Sequence, residues 1–229
     1  MKKIEIKEFG GPEVLEIKNV DIGKPGQNEV LVKNLSIGIN YIDTYHRSGL
    51  YPIPLPSGIG LEACSIIEEV GSEVRLFKVG DRVTRASMPI GTYSEKQIIP
   101  EDKLVKVPDN ISDEVASCIT LKGITAEYLL HRTYQVKKGD KILYHAAAGA
   151  LGQIFCPWAN ALGAEIIGTV GSDEKIEIAK KNGCHHVINY NEKNFVEEVE
   201  KIVGKNGLDV VYDGAVSYTH LRAHETLSY

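Results

Sequence analysis

The chain has 229 residues, of which 43% are hydrophobic and 25% charged, and its formal net charge is −5 at neutral pH. This composition is typical of a globular protein with one large domain or two modest ones. A chain with a net negative charge gives no sign of a basic surface of the kind that binds nucleic acid or anionic membranes, so neither is an expected partner. No apolar run is long enough to span a bilayer, no apolar signal core is present, and the four cysteines lie far apart. We therefore expect a cytoplasmic protein with free thiols.

The first hundred residues contain many short stretches in which apolar and polar residues alternate. The predicted strands are 2–9, 14–20, 29–40, 64–71, 80–86 and 93–100. Residues 49–60 carry three of the nine prolines and predict an irregular loop. Short strands joined by glycine and proline turns are typical of a β-barrel or a sandwich-like domain.

The hydrophobic period changes at about Ser112. Apolar residues at helical spacing predict a helix over 112–132, with Ser112 as its cap. Strands and helices then alternate: the predicted strands are 141–146, 165–171, 185–190 and 208–214, and the predicted helices are 152–162, 172–183 and 194–205. Apolar strands that alternate with helices predict a parallel sheet covered on both faces. A complete dinucleotide-binding sheet has about six strands, so we expect this domain to be incomplete.

The final residues, 216–229, show no periodicity. His220 and His224 have the spacing of a helical metal pair. However, the codons that would encode VSYTHLRAHE resemble the transposon end and adapter used in sequencing-library preparation. We therefore expect a first domain over 1–121, an incomplete dinucleotide-binding domain over 122–215, and a non-native tail over 216–229 on a truncated reading frame.

The segment HAAAGALG, residues 145–152, lies between a predicted strand and a predicted helix. Ala147, Gly149 and Gly152 fit the pattern A-x-G-x-x-G, in which missing side chains let backbone N–H groups approach a pyrophosphate at a helix N-terminus. Alanine replaces the first glycine, which a turn with negative φ permits. Because the segment begins a βαβ series, a nucleotide-binding loop is favoured over a plain turn between packed elements.

The end of the next predicted strand bears on the choice between NAD and NADPH. NAD-binding sites carry an acidic residue at this point to hold the ribose 2′-hydroxyl, whereas Ser172 directly follows the end of this strand. Ser172 can donate a hydrogen bond, and Lys175 can pair with a 2′-phosphate, although it is alternatively a solvated helix lysine. Asp173 and Glu174 argue the other way, but acidic residues are also ordinary partners of a first helical turn. The pattern favours NADPH.

Several stretches of the chain, in family order, resemble the zinc-free quinone oxidoreductase branch of the medium-chain dehydrogenase/reductase superfamily. They are residues 10–15, 36–52, 55–63, 79–83, 121–130, 145–152, 161–172, 187–190 and 210–214. The resemblance implies an α/β protein in which a chaperonin-10-like β-barrel domain, carrying most of the substrate pocket, precedes a Rossmann domain that is truncated here. It also implies a homodimeric parent; without the carboxyl-terminal part, we expect an exposed sheet edge and no dimer of the family type.

The same resemblance implies site residues in both domains. The implied catalytic residues, which border the nicotinamide and the acceptor, are Asn40, Asp43, Tyr45 and Tyr51. The implied cofactor-binding residues are Asn40, Tyr45, Thr125, Ala147, Gly149, Ala150, Leu151, Gly152, Ser172, Lys175 and Tyr190. For each tyrosine, ordinary half-buried packing is the alternative interpretation.

The residues at the zinc positions of metal-dependent relatives predict that no metal is bound. Asn40 stands at the first ligand position, and Leu61 stands where those relatives have histidine. Leucine cannot ligate zinc, which needs about four N, O or S donors. The implied function is therefore NADPH-dependent reduction of a quinone. The alternatives are an NADPH-dependent enone or alkenal double-bond reductase and, from another class, a non-catalytic NADPH-binding protein.

One residue departs from the expected local structure. Pro157 falls inside the predicted helix that follows the loop, where proline removes a hydrogen bond and clashes with the preceding turn. We expect a kink near residues 153–156.

Overall fold

The computed structural model describes residues 1–214, which form two compact units: one comprises Met1–Leu121 and the other begins at Lys122. The predicted non-native tail, with His220 and His224, lies outside the described residues. No helix of the described part is both long enough and apolar enough to cross a membrane.

The first unit contains two antiparallel sheets. Its strands are β1 (Lys2–Ile6), β2 (Glu16–Asn19), β3 (Glu29–Gly38), β4 (Ser57–Gly58), β5 (Glu62–Val70), β6 (Arg82–Ala86), β7 (Lys96–Pro100) and β8 (Val105–Lys106). The larger sheet has the order β7-β3-β5-β6-β8, and the smaller has the order β2-β1-β4. Val30, Val32, Ile67, Val83 and Ile99 form a buried core under the larger sheet. All six strands expected in this region are confirmed, while the two-residue strands β4 and β8 were not predicted.

A helix that was not predicted, α1 (Tyr41–Ser48), follows β3. Its first turn begins after Asn40, and it ends at Gly49, whose φ of 81° is the left-handed conformation that glycine adopts without strain. Two 3₁₀ turns, Pro12–Val14 and Glu101–Lys103, complete the first unit.

The helix α2 (Asp113–Tyr128) confirms the helix expected from Ser112 onward. Ser112 caps it, since the Ser112 hydroxyl accepts the N–H of Val115 at 3.3 Å. The helix ends in a π-helical turn over Leu129–Thr133.

The second unit confirms the predicted alternation of strands and helices. Its elements are β9 (Lys141–Tyr144), α3 (Gly152–Ala161), β10 (Glu165–Val170), α4 (Glu174–Lys181), β11 (His186–Asn189), α5 (Phe195–Val203) and β12 (Val210–Tyr212). The four strands form a parallel sheet in the order β11-β10-β9-β12. The strand order therefore reverses beside β9, and crevices at such reversals are where open α/β sheets bind ligands.

Both faces of the parallel sheet are covered. On one face of the sheet, Ile142 and Ile166 pack with Phe155 of α3. On the other face, Leu143 and Ile167 pack against α5. This alternation along each strand is the reason that the strands read as apolar throughout. Helix α3 continues through the exposed Pro157, and the kink expected beside it stays a prediction.

Candidate functional site

The loop between β9 and α3 is held against β10 by one buried residue. The carbonyl oxygen of Thr169 accepts the N–H of Ala147 at 3.0 Å, and its hydroxyl lies 2.9 Å from His145 Nδ1. Ala147 is fully buried and does not adopt a positive φ; the left-handed turn falls on Ala146, at φ 58°. The replacement of the first glycine by Ala147 is thus tolerated because the strained position lies one residue earlier.

The start of α3 has the geometry that a diphosphate needs. Among residues 1–214, the backbone N–H groups of Ala150, Leu151 and Gly152 donate to no protein acceptor. A helix N-terminus with free N–H donors attracts anions, and no acidic residue occupies the first turn of α3.

Gly152 allows this helix start to lie close to the loop. A Cβ at Gly152 would meet the carbonyl group of Ala147, and it would lie 2.9 Å from the carbonyl oxygen of Ala146. The cradle is therefore shaped by a missing side chain, and the residues present fit a bound nicotinamide dinucleotide.

Ser172, Lys175 and Tyr190 gather where β10 and β11 end. The N–H of Lys175 donates to the Ser172 carbonyl at 3.2 Å, and the N–H of Tyr190 donates to the Val170 carbonyl at 3.1 Å. The Tyr190 hydroxyl lies 2.6 Å from the point that a Cβ on Gly171 would occupy, so the phenol covers this glycine. Within the described residues, the exposed Lys175 ammonium forms no ion pair.

The acidic residue beside this cluster already has a protein partner. Asp173 Oδ1 accepts a hydrogen bond from Asn189 Nδ2 at 2.8 Å, which ties the start of α4 to the end of β11. Because this oxygen already accepts a hydrogen bond within the protein, the interpretation of Asp173 as a ribose ligand is weakened. Thr125, also predicted to bind the cofactor, lies half-buried on α2.

In the first unit, Asn40 and Asp43 are joined at the start of α1. The Asn40 N–H donates to Asp43 Oδ2 at 2.9 Å, and Asn40 Nδ2 donates to Glu62 Oε2 at 2.9 Å. Asp43 is only 3% exposed, and burial raises the pKa of its carboxyl group, whereas the hydrogen bonds from Asn40 and Tyr93 oppose the rise. The Asp43 carboxylate therefore holds the backbone N–H of Asn40.

Tyr45 and Tyr51 lie side by side. Their ring centroids are 5.2 Å apart at an interplanar angle of 63°, and the Tyr51 N–H donates to the Tyr45 carbonyl at 3.2 Å. Within residues 1–214, neither hydroxyl has a protein hydrogen-bond partner. The ring of Tyr41, which is 75% exposed, meets the ring of Tyr45 edge-on. The structure thus brings Tyr45 and Tyr51 together with their hydroxyl groups available.

Two residues of this region were not predicted as site residues: Glu62 and Tyr93. Glu62 is fully buried, and its Oε1 accepts the N–H of Leu121 at 2.7 Å. The Tyr93 hydroxyl donates to Asp43 Oδ2 at 2.9 Å. A signal for Glu62 exists in the sequence, since it is the one charged residue in the apolar run IGLEACSII. No local pattern marks Tyr93, whose partner lies fifty positions away.

The zinc positions of metal-dependent relatives hold Asn40 and the buried Leu61. In the part of the chain that the structure describes, no group of three or more His, Cys, Asp or Glu side chains is placed to hold a metal ion.

A chaperonin-10-like β unit followed by a parallel dinucleotide-binding unit is the architecture of the medium-chain dehydrogenases and reductases. Residues 26–109 match the family model of the alcohol dehydrogenase GroES-like domain, and residues 150–226 match that of zinc-binding dehydrogenase. The expected fold class is confirmed.

Three known proteins place the chain more narrowly. A quinone oxidoreductase of Pseudomonas aeruginosa is 49% identical over 93% of this chain and 66% of its own length. A 2-haloacrylate reductase of a Burkholderia species is 48% identical over 91% of this chain and 64% of its own. The crystal structure of Escherichia coli quinone oxidoreductase complexed with NADPH superposes with a TM-score of 0.93, at 48% identity, over 97% of this chain and 68% of that one.

The chain belongs to the quinone oxidoreductase family of the medium-chain dehydrogenase/reductase superfamily. It spans just under two thirds of the length of the two curated relatives.

Proposed function

We propose that the protein containing this chain reduces quinones with NADPH and without a bound metal. The observation that carries the proposal is the set of unpartnered N–H groups at Ala150, Leu151 and Gly152, which form a diphosphate cradle after a parallel strand. The similarity to an NADPH-complexed quinone oxidoreductase supports the same cofactor and substrate class.

The second unit is proposed to bind the dinucleotide. Its loop donates N–H groups to the diphosphate, and Ser172, Lys175 and Tyr190 hold the adenosine 2′-phosphate. The exposed Lys175 supports this role because it has no ion-pair partner in the described chain, while Asp173 is occupied by Asn189. Thr125, Ala147 and Gly149 complete the proposed set of cofactor contacts.

The first unit is proposed to bind the acceptor. Bound NADPH supplies a hydride. Asn40 and Tyr45 donate hydrogen bonds to the ribose or the carboxamide of the nicotinamide half, or to the reduced oxygen of the acceptor. The Tyr51 hydroxyl donates to a carbonyl of the acceptor. Asp43 acts through Asn40 rather than on the acceptor, because its carboxylate is buried. The two positions that hold zinc ligands in metal-dependent relatives are taken by the buried Leu61 and by Asn40, which is hydrogen-bonded to Glu62. We therefore propose that hydrogen bonds, and not a metal, polarise the acceptor.

A second candidate function is reduction of an activated carbon–carbon double bond. It is favoured by the 48% identity to a 2-haloacrylate reductase over 91% of this chain. The proposal also includes a cytoplasmic location and a homodimeric full-length protein, as implied by the family.

Oxidation of NADPH by the 229-residue chain and by the full-length gene product tests the function. The acceptors are 1,4-benzoquinone, 9,10-phenanthrenequinone, an enone and 2-chloroacrylate, each with and without a chelator. Quinone turnover that the chelator leaves unchanged supports the proposal. Turnover of only the enone or the haloacrylate supports the second candidate, and tight NADPH binding without any turnover supports a non-catalytic binding protein.

Matched tyrosine variants test the acceptor site. Tyr45→Phe is expected to lower kcat/KM for the quinone by about tenfold or more, because it removes a hydroxyl that donates to developing charge. Tyr41→Phe removes a more exposed hydroxyl of the same helix and is expected to leave kcat/KM unchanged. Equal activities of the two variants would contradict the role of Tyr45.

A further inference from the structure

Two buried carboxylates meet at one asparagine in the first unit. Glu62 accepts the side-chain amide of Asn40, and Asp43 accepts its backbone N–H. We propose that Glu62 and Tyr93 are positioning residues, which hold Asn40 and the first turn of α1 in the orientation that the reduction requires. This inference rests on the proposed function.

The first step concerns the side chain of Asn40. An asparagine amide has a donating side and an accepting side, and the hydrogen bond from Nδ2 to Glu62 Oε2 decides which of them faces the carboxylate. The other oxygen of Glu62 is held at 2.7 Å by the Leu121 N–H, so the carboxylate is fixed at both oxygens. Hydrogen bonds to an ionised group are about twice as strong as neutral ones.

The second step concerns the backbone of Asn40. One oxygen of Asp43, Oδ2, accepts both the Asn40 N–H and the Tyr93 hydroxyl. Tyr93 therefore fixes the carboxylate that fixes Asn40. The other oxygen, Oδ1, is buried and has no hydrogen-bond partner among the described residues, so the two bonds on Oδ2 set the orientation of the group.

The third step concerns the space for Tyr93. Gly60 has φ 98°, and a Cβ there would lie 2.7 Å from Tyr93 Cε1. The phenol ring thus occupies room that only glycine leaves, in the same Gly60-Leu61-Glu62 segment that supplies the second carboxylate. One short segment therefore supports Asn40 from two sides.

Burial makes a purely structural role an incomplete explanation. A fully buried carboxylate loses several kcal/mol of hydration, which an apolar side chain of similar size would not lose. What the carboxylate adds is a fixed direction for a site residue, and small displacements of reacting groups lower rates by about a hundredfold.

Two variants and one control test the inference. Tyr93→Phe keeps the ring against Gly60 and removes the hydroxyl. Glu62→Gln keeps one accepting oxygen and turns the other position into a donor that faces a donor. The control, Tyr212→Phe, removes a comparable phenolic hydrogen bond, made at 2.9 Å to the Leu129 carbonyl in the second unit.

With a quinone as acceptor, Tyr93→Phe and Glu62→Gln are expected to lower kcat by about tenfold to a hundredfold. The dissociation constant for NADPH should stay unchanged, because the phosphate loop is untouched. Tyr212→Phe should keep the wild-type kcat even if it lowers the melting temperature as much as Tyr93→Phe does. Wild-type kcat in both test variants would overturn the inference.

A second readout separates this inference from the proposed function. The side-chain amide signals of Asn40, recorded by NMR on the ¹⁵N-labelled protein, should move in Glu62→Gln and stay in place in Tyr212→Phe. If the wild type reduces no acceptor, the proposed function fails, and these signals decide whether Glu62 holds Asn40. Unmoved signals in Glu62→Gln would overturn the inference by themselves.

Discussion

The substitution Gly152→Ala probes the diphosphate cradle directly. Its Cβ would meet the carbonyl group of Ala147, with the Ala147 carbonyl carbon at 2.7 Å and the Ala146 oxygen at 2.9 Å. These atoms belong to the backbone of the loop, so the overlap cannot be relieved by a rotamer change. Overpacking of this kind destabilises by about 1–3 kcal/mol, which leaves a domain of ordinary stability folded.

The larger effect is expected on cofactor binding. Relief of the overlap moves the start of α3 away from the loop, and the N–H groups of Ala150 and Leu151 move with it. A hydrogen bond to a charged group contributes about 1.5–3 kcal/mol, so the loss of two such bonds weakens NADPH binding by roughly a hundredfold or more.

Calorimetric titration with NADPH and urea unfolding measure the two effects separately. The control is Gly123→Ala, another glycine inside a helix, where an added Cβ meets no atom within 4 Å. There alanine is expected to stabilise by up to about 1 kcal/mol. A folded Gly152→Ala variant with wild-type affinity for NADPH would refute the reasoning about the cradle.

Four further predictions concern other parts of the chain. Lys175→Met should weaken NADPH binding by about fivefold and leave NADH binding unchanged, since an exposed ion pair contributes about 1 kcal/mol or less; equal losses for both would contradict the role. Asp43→Asn keeps an oxygen for both hydrogen bonds and removes a buried charge. Because burial raises the pKa of Asp43, the folded wild type holds a proton on this carboxyl group at pH values where the unfolded chain has lost it. The free energy of unfolding of the wild type should therefore fall as pH rises above about 4, and urea unfolding of the variant should show no such fall. Pro157→Ala should raise the free energy of unfolding by about 1–3 kcal/mol by restoring a helical N–H, and a lower melting temperature would oppose this. Amplification of the gene from its source DNA should give a different, natural continuation in place of residues 216–229, and recovery of the same tail would disprove the adapter origin.

The fold followed from the sequence wherever periodicity was strong. The apolar strands of the second unit and the alternating strands of the first appear within a few residues of their predicted bounds. Helix α1 was missed because its eight residues, YIDTYHRS, mix β-branched and aromatic residues of modest helix propensity. Its ends carry the signal instead: Asn40 with Asp43 three positions later, and Gly49 after the last turn.

The site was only partly predictable for a related reason. The phosphate loop is a local motif, so residues 145–152 could be predicted from their spacing together with their place at the start of a βαβ series. The support for Asn40 joins residues that are distant in the chain, Glu62 at a strand start and Tyr93 in a loop, and no local pattern links them. The proposed role of Asp43 rests on the burial of its carboxylate and on its hydrogen bonds with Asn40 and Tyr93.

The open donors at the start of α3 also bear on how long the polypeptide survives. A ligand that binds only the folded form adds about 2.7 kcal/mol of stability at a hundred times its dissociation constant. With the proposed dinucleotide bound at Ala150, Leu151 and Gly152, local opening of this helix end becomes rarer, and proteases find fewer cleavable molecules. The supply of reduced nucleotide in the cell would then affect the abundance of the protein.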